Sequence, residues 1–429
     1  MIDILPNIIF SILLITSVGF FIYNIKKLIR VIKLGKPIDR SDNPKKRLYN
    51  MIRIALGQSK MVTKPISGFL HVIVYVGFII INIELLEILI DGVTGSHRFF
   101  SKYFNPSFYN FLIASFEILA FLVLISVILF WTRRNIVKIK RFLSSEMKGW
   151  PKFDADNILY FEVVLMLLFL SMNATDLILQ ERNFEGYYKA GSFPISSFIV
   201  PIFDSFETST VYVFERVFWW LHIIGIFFFL NYLYYSKHLH ILLAFPNTYY
   251  ANLENKGKSG ILESVKNEVL LMFYPEKASQ SNGDVDKFGA SDVLDLNWVQ
   301  LMNAYSCTEC GRCTSECPAN LTGKKLSPRK IMMDTRDRLE KVSKNITINK
   351  GKFIDDGDRL LDNYITKEEL WACTSCNACV EACPINIDPL SIIMDMRQYL
   401  IMEESSAHPD LNNMMNNIEN NGAPWPYNQ

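Results

Sequence analysis

Five stretches of this chain are long and apolar enough to cross about 30 Å of hydrocarbon. They constrain the fold more than any other feature. They run over residues 4–25, 66–90, 108–131, 157–179 and 211–235. In lipid every backbone N–H and C=O must find its partner inside the segment, so each stretch is expected to be a helix. The expected fold class is all-α: a bundle of five transmembrane helices followed by a mainly α-helical cytoplasmic domain. The first stretch has no basic residue before it, Lys26 and Lys27 after it, and no small-residue cleavage site, which predicts a retained anchor.

Charge placement predicts the orientation. The connection over residues 26–65 holds twelve Lys or Arg against two Asp, and that over 132–156 holds seven, Arg133 and Arg141 among them. The connections over 91–107 and 180–210 carry two each. By the positive-inside rule the N-terminus faces outside and everything after the fifth span is cytoplasmic, in a bacterial inner membrane. A formal net charge of +1 gives no bulk attraction for nucleic acid.

The expected organisation is a membrane domain over 1–245, a connecting segment over 246–296, a cysteine-bearing domain over 297–400 and a polar tail over 401–429. The stretch 275–289 reads as a surface linker. Ser327 as N-cap and Pro328 at the first helical position predict a helix between the cysteine loops. The Asn-rich tail after Ala407 is expected to be extended or poorly ordered.

All eight cysteines lie in two loops, "CTECGRCTSECP" from Cys307 and "CTSCNACVEACP" from Cys373. This is the bacterial ferredoxin run, in which three cysteines cap one cubane cluster and the fourth, before Pro, ligates the other. One 4Fe-4S cluster then takes Cys307, Cys310, Cys313 and Cys383; the second takes Cys373, Cys376, Cys379 and Cys317. Zinc is the alternative for thiolate quartets, but its sites split into two C-x-x-C arms and have no use for a repeated third Cys plus Cys-Pro. Gly311, Thr314, Ser315 and Ala378 suit a loop whose backbone passes close to sulfide. Thiolates held for metal need a reducing compartment, in agreement with the charge-based orientation.

Six histidines complete the candidate ligands. His222 and His240 are 18 apart, so on a continuing helix they share one face about 27 Å apart along the axis, with His238 about 160° away. His71, near the inner end of the second span, matches His240 in depth, and the two are expected to be axial ligands of one haem b. A second haem would pair His222 with a position where Ile81 and Asn82 stand. His222 and Asn82 are therefore the candidates for a quinone or a second haem. His97 and His408 are expected to be solvated, and Lys237 and His238 to snorkel at the interface. Glu84, Glu87, Glu117, Glu162 and Asp176, in or near spans, are functional candidates, with interfacial placement as the alternative.

The segment "HIIGIFFFLNYLYYSKHLHILLAFP", with "GFLHVIVYVGF", resembles the cytochrome b (gamma) subunit family of respiratory nitrate reductases. That resemblance implies five spans and haem ligands on the second and fifth. His71, His222 and His240 fall on three of four ligand positions, and Ile81 falls on the fourth. Joined to the cysteine loops, the chain resembles the heterodisulfide-reductase-related membrane iron–sulfur oxidoreductases, some of which pass electrons between electron-transferring flavoprotein and menaquinone. No cysteine follows Cys383, so the CCG-type domain that many relatives add is expected on a separate subunit.

The expected function is respiratory electron transfer between a cytoplasmic donor and membrane menaquinone, through two 4Fe-4S clusters and one haem b, by a membrane-bound quinone-linked oxidoreductase subunit. The donor would be a CCG-domain subunit or electron-transferring flavoprotein. Rival expectations are a quinol-oxidising subunit feeding a cytoplasmic reductase, a non-catalytic anchor and relay, and a redox sensor without haem.

Overall fold

The computed structural model describes residues 4–255, 257–258, 263–277 and 287–426. Two compact units emerge, one built from residues 4–29 and Ile52–Leu242, the other from Arg30–Met51 and residues 243–426. Most of the linker expected over 275–289 lies outside the described residues.

The five expected spans are the helices Leu5–Ile32, Pro65–Thr94, Pro106–Asn135, Trp150–Glu181 and Thr208–Tyr232, the last continued to Tyr235 by a tight turn. Pro65, Pro106 and Pro151 sit in first turns, where a missing N–H costs nothing. Gly95, at φ 75°, ends the second span with its N–H on the Asp91 carbonyl at 2.8 Å. The second helix packs on the third, the third on the fourth and the fourth on the fifth. Glycines permit the approach: a Cβ on Gly77 would stand 2.5 Å from Val123, and one on Gly225 would stand 2.8 Å from Leu165. Phe10 carries the first helix into the bundle, its ring 5.5 Å from Trp219 and 5.9 Å from Phe227. Large apolar side chains such as Ile15, Phe69 and Phe111 stay exposed, as a lipid-facing surface requires.

The fifth span does not continue to His240. Its regular helix ends at Tyr232, and Ser236 is extended (φ −114°, ψ 161°) before a new helix, His240–Tyr249. No Pro or Gly causes the break. The Ser236 hydroxyl accepts the His238 N–H at 3.1 Å, and Asp154 of the fourth span accepts the Tyr232 hydroxyl at 2.7 Å and the Lys237 N–H at 3.0 Å. Local side-chain acceptors thus replace helical carbonyls. The single-face relation expected of His222 and His240 is therefore lost, and His238 is not turned away from His240.

In the second unit, short helices surround the cysteine loops: Trp298–Ser306, Arg312–Ser315, Pro318–Leu321, Pro328–Ile348, Lys367–Trp371, Ala378–Ala382 and Pro389–Met402. The expected cap is present, Ser327 accepting the Lys330 N–H at 3.4 Å. Ala290, Val293 and Leu296 are already core, so the fold of the second unit begins within the segment read as a connection. It also recruits residues 30–51, from the end of the first span and the loop that follows it. Arg47, fully buried, donates to the Tyr249 and Ala251 carbonyls at 3.2 and 3.0 Å, and Trp298 Nε1 donates to the Ile38 carbonyl at 3.1 Å. A Cβ on Gly35 would meet the Trp298 backbone nitrogen at 2.6 Å, so only glycine fits there. The tail is not extended throughout: Pro409–Asn421 is a helix, capped by the His408 side chain and closed by Gly422 at φ 68°.

Candidate iron–sulfur and haem sites

The two cysteine loops are built alike. Glu309 and Gly311 in the first, and Ser375 and Asn377 in the second, have positive φ (57°, 71°, 56° and 60°). These left-handed residues wrap the chain around the sulfurs, and glycine and asparagine tolerate that conformation best. Cys317 and Cys383 are both extended (φ −76°, ψ 118°; φ −73°, ψ 124°), as the residue before a proline must be.

Electrostatic influence crosses between the two loops. Cys313 feels Cys307, Cys310 and Cys383, and to a lesser degree Cys379. Cys379 feels Cys373 and Cys317, and Cys373 feels Cys317 and Cys376. Burial pushes the Cys307 and Cys379 thiols up to about 12 and Cys313 well above its usual range. Thiols so placed ionise only when a metal supplies the positive charge, so the pockets fit clusters and would not serve solvated thiolates. Backbone donors are in position as well: Ser375 N–H on Cys373 Sγ at 3.4 Å and Ile387 N–H on Cys383 Sγ at 3.3 Å. The loops differ in access. Cys307 is buried, whereas Cys376 is exposed beside exposed Thr374 and Ser375.

In the bundle three imidazoles gather at one end. The His238 ring lies 5.6 Å from that of His240 and within electrostatic reach of His71. Burial, then the neighbouring histidines, hold His238 well below the usual histidine range, and burial lowers His240. Neutral imidazole is the ligating form. His240 Nδ1 is 3.0 Å from the Lys237 carbonyl, an N–H donation that orients the ring and leaves Nε2 for an axial bond. The residues at this end therefore fit a b-type haem. Gly68, one turn before His71, allows close backbone approach, since a Cβ there would meet the Val62 main chain at 2.7 Å.

The remaining candidates separate. His222 is buried, with Nδ1 3.1 Å from the Leu165 carbonyl of the fourth helix. Asn82 is exposed and bonds the Phe78 carbonyl of its own helix at 2.5 Å. No hydrogen bond joins these two among the described residues. His97 is not solvated as expected. Its Nε2 lies 3.2 Å from Asp176 and its ring 4.4 Å from that of Tyr187, because the loop after the second span folds back over the bundle. Of the candidate carboxylates, Glu84, Glu87, Glu117 and Asp176 are buried, and partly exposed Glu162 lies 3.9 Å from His238 Nδ1. Arg98, which pairs with Asp176 at 2.7 Å, and Glu215 were absent from the sequence candidates. A single arginine in a short loop and a lone acid near a span end carry no motif.

Comparison with known proteins bears on the iron–sulfur half. A 4Fe-4S dicluster domain family matches residues 306–387, so the eight cysteines belong to a domain that holds two 4Fe-4S clusters. Across 98% of its length the chain is 29% identical to a probable iron-sulfur-binding oxidoreductase, FadF, of Bacillus subtilis. Across 96% it is 24% identical to an EtfAB:quinone oxidoreductase of Syntrophomonas wolfei. The chain spans 59% and 57% of the length of these relatives. Over 27% of the chain, one subunit of a ferredoxin/F(420)H(2)-dependent CoB-CoM heterodisulfide reductase of Methanosarcina acetivorans is 29% identical and is covered over 56% of its own length. No solved structure matches. The chain is therefore similar to iron–sulfur oxidoreductases over nearly its whole length, and it joins a 4Fe-4S dicluster domain at residues 306–387 to five helices long and apolar enough to cross a membrane.

Proposed function

We propose that the chain passes electrons between a cytoplasmic donor, either an electron-transferring flavoprotein or a CCG-type iron–sulfur subunit, and a menaquinone-type quinone in the inner membrane. Bound 4Fe-4S clusters and one haem b would supply the one-electron chemistry. Cys307, Cys310, Cys313 and Cys383 would hold one cluster, and Cys373, Cys376, Cys379 and Cys317 the other. The cross-loop neighbourhoods of Cys383 and Cys317 support that division. His71 and His240 would be the axial pair, supported by the Nδ1 contact that orients His240. Exposed Cys376 makes the second loop the better place for a protein partner to approach.

The observation that carries this reading is the union, in one chain, of an eight-thiol dicluster domain with an apolar five-helix bundle in which three imidazoles gather at one end. The relative named EtfAB:quinone oxidoreductase supports the two redox partners. The basic loops at 26–65 and 132–156 support a cytoplasmic iron–sulfur domain and an outside N-terminus.

The test is to reduce the clusters in membranes that contain the protein and add a short-chain naphthoquinone. Oxidation of the cluster signals at catalytic rates supports the reading, and signals that no quinone can oxidise refute it. Similarity to a heterodisulfide reductase subunit favours a second direction, from hydroquinone to a cytoplasmic reductase. Adding a hydroquinone to oxidised clusters tests it in the same preparation.

A further inference from the structure

At the end of the bundle remote from His71, the membrane unit encloses ionisable groups that electron transfer between metal centres does not use. Glu84, Glu87 and Asp91 follow His71 on the second helix by 13 to 20 positions, about 20 to 30 Å along the axis. With Arg98, Asp176 and Glu215 they line a cavity of about 370 Å³, in the range of small-molecule sites. Its apolar wall is aromatic: Phe10, Trp219 and Trp220, with the two indoles 5.2 Å apart and nearly perpendicular.

Buried polar atoms normally find partners, and among the described residues all but one of these carboxylates does. Asp176 takes Arg98 Nε at 2.7 Å and His97 Nε2 at 3.2 Å. Asp91 takes the Arg98 and Phe99 N–H groups at 2.9 and 3.1 Å and the Ser96 hydroxyl at 2.7 Å. Glu87 takes the Phe100 N–H at 2.7 Å and the Tyr109 hydroxyl at 2.9 Å. Glu215 takes the Tyr187 hydroxyl at 2.6 Å and the Arg216 guanidinium. Glu84, 3% exposed, is the exception. Its Oε1 is 3.9 Å from Arg98 Nη1, and its buried Oε2 has no hydrogen-bond partner among the described residues.

The chemistry of a fitting partner follows from the neighbours. Arg98 beside Glu84 disfavours a simple cation, and three aromatic side chains favour a flat ring. A guanidinium donor next to a carboxyl that can donate or accept suits a ring oxygen that is an acceptor when oxidised and a donor when reduced. We propose that this cavity takes the head group of the membrane quinone, with its ring among Phe10, Trp219 and Trp220 and one ring oxygen at Glu84 Oε2.

The proposal rests on the quinone-linked reading and moves the quinone away from exposed Asn82. Reduction brings two electrons from the flavoprotein or iron–sulfur donor and two protons. Each C=O becomes C–O–H: protonated Glu84 gives its proton to one oxygen and regains it from solvent, while the other oxygen takes its proton from water. Hydroquinone oxidation is the reverse, with Glu84 accepting.

The experiment uses the full-length protein in nanodiscs with two readouts, cross-linking by a photoreactive azidoquinone and reoxidation of reduced clusters by a naphthoquinone. The expected result is competed label in peptides bearing residues 84–98 or 212–220, and reoxidation at least tenfold slower in Glu84→Gln with intact clusters. If the wild type is reoxidised but the label falls elsewhere, or Glu84→Gln and Trp220→Ala both react at the wild-type rate, the site is overturned and the quinone reading survives. If no quinone reoxidises the wild type, both fall. Should Glu84→Gln fail to assemble, Trp220→Ala and the label position decide.

Discussion

Arg397 clasps the second cysteine loop, its Nη2 donating to the Cys373 carbonyl at 2.5 Å and to the Leu370 carbonyl at 2.6 Å. The same guanidinium reaches the Ser375 hydroxyl at 3.3 Å and lies over the Trp371 ring. A fixed positive charge beside a cluster favours its reduced, more negative state. Arg397→Gln is therefore expected to lower the midpoint potential of one of the two clusters. The expected shift is on the order of 60 mV, one decade in a one-electron equilibrium. An EPR-monitored redox titration would show it, with the other cluster unmoved.

The crossed ligand sets predict a non-additive pattern. Cys317→Ser and Cys376→Ser should damage the same cluster, so the double variant should keep about half of the eight irons of two cubanes. Cys317→Ser with Cys310→Ser should strike both clusters and leave almost none. Iron and sulfide analysis of the purified variants distinguishes this from uncrossed loops, for which the two outcomes exchange.

Arg338 is fully buried and holds three separate elements together. It donates to Asp292 at 2.6 Å, to Asp356 at 2.7 Å and to the Asp358 carbonyl at 2.5 Å. Arg338→Ala leaves those acceptors without their cation and should cost about 3–5 kcal/mol. In a unit of this size that is a fall of roughly 10 °C in the temperature at which cluster absorbance is lost.

Asp395 introduces a pH slope. Burial raises its carboxyl to about 6, with the Gln300 amide at 2.6 Å offsetting part of the effect. The native state binds this proton more tightly than the unfolded chain, so the group's contribution falls as pH rises from about 4 through about 6. The loss should approach about 3 kcal/mol at neutral pH. Asp395→Asn, which can still accept from Gln300, should flatten the dependence of unfolding midpoint on pH. An unchanged slope would assign it to other groups.

The spans and the cysteine loops were legible because each follows from a strong local rule: uninterrupted apolar length in one case, ligand spacing in the other. The break before His240 was not. It is made by Asp154, which lies 78 positions before Tyr232 in sequence but bonds to Tyr232 and Lys237 in space. The membership of residues 30–51 in the iron–sulfur unit was hidden for a related reason, since buried Arg47 reads in sequence as one more basic loop residue. The charged cavity was half visible. Glu84, Glu87 and Asp176 stand out in apolar helices, but Arg98 and Glu215 become its members only when the loops fold back.

Whether the apolar half holds a redox centre of its own for the iron–sulfur domain to serve is decided by a pyridine haemochrome assay with total iron on the purified full chain. One b haem per chain with about eight further irons is the predicted result, with haem lost in His71→Ala and His240→Ala and kept in His222→Ala. A preparation with full clusters and no haem would contradict that reading and leave the five helices as an anchor.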